Sequence, residues 1–314
     1  MSAAVQALPG ECWITLPSCW VSAQKFDEIL RRCGDALGQP FTTIIVRVSA
    51  GCKLMVDVII RLLSFCNQAI AMSKRLRLEF EGSNDDVIGY LNRMGFFDHL
   101  SQYVEVSPAR PAYSCATLYR GKNGSLVEIA RFSGTTVAEP GLVDRLARAG
   151  QSSCSNRPDA HQIYSAVFTI FGELISNVSE HSKSPLDGFA ALQTYPRGDE
   201  VRIAVSDSGI GIIESLRPAL RAKGDPDASL GDTSLVVQMF RKGISRHEDQ
   251  KRGNGLMVSA RHAIRFKADL DVRLPRQRVL LKPSGTEYVP NVAYSHDGLP
   301  LLWGTHISFA LKLT

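Results

Sequence analysis

The chain has 314 residues, 44% apolar and 21% charged, which suits a globular protein long enough for two cores and excludes a fibrous or disordered one. Its formal charge of +5, from 36 basic and 31 acidic residues, is mild. That balance does not argue for a nucleic-acid partner. Seven cysteines without Cys-x-x-Cys or metal-ligand spacing fit the reduced thiols of a cytoplasmic protein and speak against structural zinc.

Strand and helix alternate over the first hundred or so residues. The patterns predict strands over 13–16, 41–48, 75–80 and 103–106, and helices over 22–33, 53–73 and 85–100, the first capped by Ser22. This is a small α/β layer. The longest apolar stretch, 54–72, is interrupted by Asp57, Arg61, Ser64 and Gln68 along one helical stripe. It therefore reads as an amphipathic helix used up in its own core, and as no membrane span. No basic-then-apolar signal segment opens the sequence.

Ser107-Pro-Ala-Arg-Pro111 reads as a short stiff linker. Beyond it the patterns predict strands at 115–119 and 126–132 and a helix at 142–149. From 159 to 182, Ile163, Val167, Ile170, Leu174 and Val178 fall at helical spacing, with Gly172 the only Gly or Pro, which predicts one amphipathic helix. His161, near its start, reads as an exposed or capping residue. Glu173, Asn177 and His181 stand at i, i+4 and i+8 and share a stripe. A carboxylate can orient or deprotonate a water or hydroxyl, and an amide oxygen one turn along can ligate the hard cation riding on a phosphate. The bland alternative is an ordinary polar helix face.

Val201-Arg-Ile-Ala-Val-Ser-Asp207-Ser-Gly209-Ile-Gly211 is an alternating strand that ends in an acidic residue and a glycine-rich turn. The Asp207 carboxylate can accept from an exocyclic amine, and Gly209 and Gly211 let the backbone approach a ligand. A Gly-, Asp- and Pro-rich stretch at 217–232, a helix at 233–242 and a polar segment at 245–251 follow. Lys251-Arg252-Gly253-Asn254-Gly255-Leu256 then precedes a helical run. There, backbone N–H groups, a helix N-terminus and two cations meet where a phosphate chain can lie. Residues 269–281 alternate as one strand, and Arg273, Arg276, Arg278 and Lys282 read as charges of a solvated edge. Residues 283–300 read as an inserted hairpin or loop, and Gly304-Thr305 opens the last strand.

In this order, Glu-x-x-x-Asn, Asp-x-Gly-x-Gly, Gly-x-Gly and Gly-Thr resemble the N box and the three glycine boxes of the GHKL ATPase superfamily, which includes gyrase, sensor histidine kinases and anti-sigma serine kinases. The resemblance covers about half of the chain. It implies ATP and Mg²⁺ as cofactors, with Asp207 on the adenine amine, Asn177 on the metal and Glu173 as general base. It also implies Gly209, Gly211, Gly253 and Gly255 as close-approach positions, Lys251 and Arg252 beside the phosphates, and Thr305 near the adenine. An ATP lid would lie between the first and second glycine boxes. Asn254 and Met257 stand where such loops often repeat glycine.

The earlier part, notably Val87-Ile-Gly-Tyr-Leu-Asn-Arg-Met-Gly-Phe-Phe-Asp98, resembles STAS-like domains, the fold of anti-sigma factor antagonists. In those a Ser or Thr in the turn after a central strand can be phosphorylated. The matching turn is Val48-Ser49-Ala-Gly-Cys52-Lys53, where Ser49 is the only hydroxyl and the usual acidic neighbour is missing. Ser49 is therefore read as a helix cap or a solvent-facing residue.

The expected architecture is α/β (α+β): a STAS-like α/β layer over 1–112, followed over 113–314 by a two-layer α/β sandwich of the GHKL (Bergerat) ATP-binding type. The expected function is that of a cytoplasmic, Mg²⁺-dependent ATP-binding protein, a slow ATPase serving as a nucleotide-controlled switch for a protein partner. The resemblance leaves room for a homodimer and calls for no membrane. Two alternatives stand beside it. One is an anti-sigma-type serine/threonine kinase acting on a STAS-domain partner, and the other a non-catalytic interaction module stabilised by ATP.

Overall fold

A computed structural model describes residues 10–82, 85–122, 124–133, 139–181, 184–242 and 255–314. Its first part runs β1 (Glu11–Leu16), β2 (Trp20–Val21), α1 (Ala23–Arg32), β3 (Thr43–Val48), β4 (Lys53–Leu54), α2 (Val56–Ala71), β5 (Arg75–Phe80), α3 (Asp85–Met94), α4 (Phe96–His99) and β6 (Glu105–Ser107). Four of these strands form a parallel sheet in the order β1-β3-β5-β6. The Ser22 side chain caps α1 by accepting from the Lys25 N–H at 3.3 Å.

The second part runs α5 (Cys115–Tyr119), β7 (Leu126–Phe132), α6 (Leu142–Ser153), α7 (Ala160–His181), β8 (Gly188–Tyr195), β9 (Glu200–Ser206), α8 (Ile212–Ala222), α9 (Asp232–Lys242), α10 (Gly255–Arg265), β10 (Asp269–Leu274), β11 (Gln277–Ser284), β12 (Glu287–Pro290) and β13 (His306–Lys312). Its seven strands pair antiparallel throughout, in the order β12-β11-β10-β13-β9-β8-β7. The chain is thus α+β, with a parallel sheet and a separate antiparallel one. Among the described residues, no helix is long and apolar enough to cross a membrane.

The two faces of the antiparallel sheet differ in chemistry because strand side chains alternate. Val201, Ile203 and Val205 of β9, Leu270 and Val272 of β10, and Ile307 and Phe309 of β13 join one apolar core with α6, α7 and α10. The intervening residues, Arg202, Ser206, Asp271, Arg273, His306 and Ser308, belong to the opposite face. That face lies under α2, which packs on β8 and β9, while Phe189, Ala191 and Ala204 share a core with α2 and the parallel sheet.

Helix α2 is accordingly buried nearly all round, its polar stripe included. The stripe faces the second sheet, a correction to its reading as a helix consumed by its own core. Asp57 accepts from Arg202 at 2.7 Å and Ser64 shares a 2.8 Å hydrogen bond with Ser206. Arg61 donates to Asp271 at 2.5 Å.

The supposed basic edge is overturned for the same reason. Residues 269–281 fold into the β10–β11 hairpin, and the Arg273 and Arg278 side chains are buried. Arg273 donates to Asp27 at 2.9 Å, and Arg278 donates to Asp271 through Nε at 2.6 Å. Arg276 keeps the exposed role, pairing with Asp35, and Lys282 is half-exposed and pairs with Asp269.

Several local expectations also change. Residues 115–119 form a helix and not a strand, because Ser114 caps it by accepting from the Thr117 N–H. The helix expected over 85–100 breaks at Gly95, whose φ of +82° is left-handed. The long apolar helix starts only at Val56, after the two-residue strand β4. Its N-cap is Met55, so Ser49 caps nothing; it sits half-buried in the turn after β3, its N–H donating to the Leu16 carbonyl. Part of the stretch at 217–232 belongs to α8, which tolerates Pro218 in its interior. The linker is tied down by Arg110, which donates to the carbonyls of Phe97, Leu100, Ser101 and Val104.

Candidate functional site

Strands β9 and β13 are antiparallel neighbours with Ser206 opposite His306. The chain therefore leaves β9 at the place where it enters β13, and Asp207 meets Gly304 and Thr305. The Asp207 N–H donates to the Thr305 carbonyl at 3.0 Å, and the Thr305 N–H returns to Asp207 Oδ2 at 3.1 Å. Oδ1 accepts from the Gly209 N–H at 2.7 Å. The Thr305 hydroxyl accepts from the Ile212 N–H at 2.9 Å, which ties the start of α8 into the same knot.

Two glycines make this knot buildable. Gly304 has φ +93°, and a Cβ there would stand 2.1 Å from the Asp207 carbonyl oxygen. Gly211 has φ +86°, and a Cβ on it would crowd Pro275 at 3.3 Å. The Asp207 side chain is only 7% exposed. Burial pushes its carboxyl up to about 6, against the opposing pull of the Gly209 and Thr305 N–H groups and the Thr305 hydroxyl. A carboxylate has about four lone-pair sites; the two backbone donors and the Thr305 hydroxyl take three of them, so acceptor capacity remains for one amine N–H of a planar ligand.

Glu173 and Asn177 project from the second half of α7, both half-buried. Helix α7 packs against α10 and touches β9. A Cβ on Gly255, the first residue of α10, would stand 1.7 Å from Glu173 Oε2. Gly255 is thus a close-approach position, and the group it approaches is the Glu173 carboxylate. At the other end of this contact, a Cβ on Gly188 would stand 3.0 Å from Val178 and 3.2 Å from the Ser206 carbonyl oxygen. That shared neighbour places the last turns of α7 beside the end of β9, on which Asp207 follows.

The structure therefore gathers Glu173 with Gly255, and Asp207 with Gly209, Gly211 and Thr305, at one end of the second sheet. Lys251, Arg252 and Gly253 lie outside the described residues. His161 is exposed in the first turn of α7. Among the described residues, no group of three or more His, Cys, Asp or Glu could hold a metal by itself. Asn177 offers one amide oxygen, so a hard cation there would need its other ligands from water or from a ligand's own oxygens.

Sequence reading missed what stands behind the site. Ser206 and Ser208, on either side of Asp207, are both buried, as are Gln68 and His306. Ser208 accepts from Gln68 Nε2 at 2.9 Å, and Ser206 shares a 2.5 Å hydrogen bond with His306 Nδ1. The signal available was the polar stripe on α2 that includes Gln68. No protein-family model matches this chain, and no curated protein matches it either.

Proposed function

We propose that the protein binds ATP together with Mg²⁺ at the end of the antiparallel sheet, hydrolyses it slowly, and serves as a nucleotide-controlled switch for a protein partner. The observation that carries this reading is the buried Asp207 carboxylate, held by the Gly209 and Thr305 N–H groups against a glycine that no other residue could replace. A buried carboxylate with a spare acceptor site suits the exocyclic amine of adenine. Asn177, half-buried one turn beyond Glu173 on α7, would supply the amide oxygen for the metal, and Glu173 would orient a water. The bound magnesium would neutralise charge on the phosphates.

The test is calorimetric titration of the purified chain with ATP and with a nonhydrolysable analogue, with and without Mg²⁺, beside Asp207→Asn. Micromolar binding that the substitution abolishes is expected. Absence of binding by the unaltered chain, or equal binding by Asp207→Asn, would sink the reading.

A further inference from the structure

The loops that hold Asp207 and Thr305 are fastened together from behind by a residue of the other sheet's helix. Gln68 of α2 is fully buried. Its Nε2 donates to the Ser208 hydroxyl and to the Trp303 carbonyl, both at 2.9 Å, and its Oε1 accepts from the Trp303 N–H at 2.9 Å. Ser208 directly follows Asp207, and Trp303 stands two positions before Thr305. One carboxamide thus joins the strand exit to the strand entry. Because a backbone N–H and a backbone C=O of Trp303 face it, the orientation of the amide is set by its partners.

One turn earlier on α2, Ser64 extends the same fastening. The Trp303 carbonyl can only accept, so His306 Nε2, 3.1 Å away, donates to it. Burial, reinforced by the Arg61 and Arg273 charges, keeps His306 neutral, with its pKa well below the ordinary imidazole range. Nδ1 of that neutral ring must therefore accept from Ser206, and Ser206 in turn accepts from Ser64. The chain Ser64, Ser206, His306, Trp303 has one direction, and it ends on the carbonyl that Gln68 also holds. Fully satisfied buried networks of this kind make a local geometry rigid.

We infer that Gln68 is a positioning residue for the base pocket: the helix of the parallel-sheet half braces from behind the two loops whose Asp207 and Thr305 bond each other, and so holds their fit to a 6-aminopurine. This rests on the nucleotide reading above. It also gives the switch a physical connection, since any shift of α2 along its axis acts on both loops of the pocket at once.

The test compares the intact chain with Gln68→Met, which keeps the volume and removes all three hydrogen bonds, and with the milder Ser208→Ala. Affinities are measured for ATP and for inosine triphosphate, which lacks the 6-amine, and backbone amide exchange is followed in the nucleotide-free protein. The ATP affinity of Gln68→Met is expected to fall about tenfold, with inosine triphosphate affected much less, so that the preference for ATP shrinks. Exchange at Gly209 and Thr305 is expected to quicken without nucleotide. Ser208→Ala should move each quantity the same way by a smaller factor, and it carries the test if Gln68→Met does not fold. Equal weakening of both nucleotides, or an unchanged preference with unchanged exchange, overturns the inference while leaving ATP binding intact. If the unaltered chain binds no ATP, both the reading and the inference fall.

Discussion

Gly255 at the start of α10 presses its bare Cα so close to the Glu173 carboxylate that a Cβ would stand 1.7 Å from Oε2 and 2.1 Å from Cδ. The obstructing atoms are the far end of a flexible side chain, so a methyl group there would displace the carboxylate more readily than the helix.

Gly255→Ala is therefore expected to separate binding from turnover. Alanine is the better helix former, so the melting temperature should hardly change, and ATP affinity should stay within about threefold, well short of the 1.4 kcal/mol that a tenfold change represents. Hydrolysis should fall by about a hundredfold, the lower end of what a positioned acid or base contributes. Single-turnover hydrolysis beside calorimetry reads both, and unimpaired hydrolysis would remove Glu173 from the proposed role.

The raised carboxyl of Asp207 predicts a pH dependence. Below about 6 it takes up a proton, and a neutral acid is a weaker acceptor than a carboxylate. ATP affinity should decline as pH drops from 7.5 to 5, steepening towards about tenfold per pH unit if only the ionised form binds. Inosine triphosphate, titrated in parallel, corrects for protonation of the phosphates themselves. A constant ratio of the two affinities across this range would count against Asp207 as the amine acceptor.

Stability responds to the same group with the opposite sense. A carboxyl whose folded pKa is raised favours the folded state below its ordinary value of 3.8, and that contribution, about 3 kcal/mol, is lost as pH rises from 3.8 to about 6. Asp271 works in a different window. Burial alone would raise its pKa, but Arg61 and Arg278 overcome this and hold it well below the ordinary carboxylate range. The stability it contributes is fully present above about 3.8 and is lost as pH falls from there through its depressed pKa. Denaturant titrations between pH 7 and pH 2 should show the two limbs, and Asp271→Ala should lose the acid one. The same substitution leaves Arg61 and Arg278 buried with reduced compensation, an expected loss of about 3–5 kcal/mol at neutral pH.

Local features were the readable part of this fold. The Ser22 cap, the period of α7 and the 75–80 strand are set by neighbours in sequence, and the structure carries each of them. What depended on distant surroundings was not readable. Strand β8, with Ala190, Ala191 and Leu192 buried towards both faces, has no alternation to show. The alternation of Arg273 and Arg278 with apolar neighbours was visible, yet alternation reports only that two faces differ. Whether the polar one meets water or another helix is decided some two hundred residues away, by Asp27 and Arg61. In the candidate site, Asp207 and its glycines stood out because a turn and a close approach restrict residue type locally. The fastening by Gln68 did not, since its partners lie 140 and 235 positions downstream.

That long separation bears on how the chain comes to be made. When α2 emerges during synthesis, Asp27 beside Arg61 is already made, but the other groups its stripe will finally meet, from Arg202 to Ser308, do not yet exist. An apolar stripe in that position would be a sticky surface exposed for the whole interval. Asp57, Arg61, Ser64 and Gln68 can instead be hydrated while they wait, and exchange water for protein partners once the second sheet closes over them. A polar seam of this sort adds little net stability compared with an oily one, but it lets the first half of the molecule stay single and unaggregated until the second half arrives.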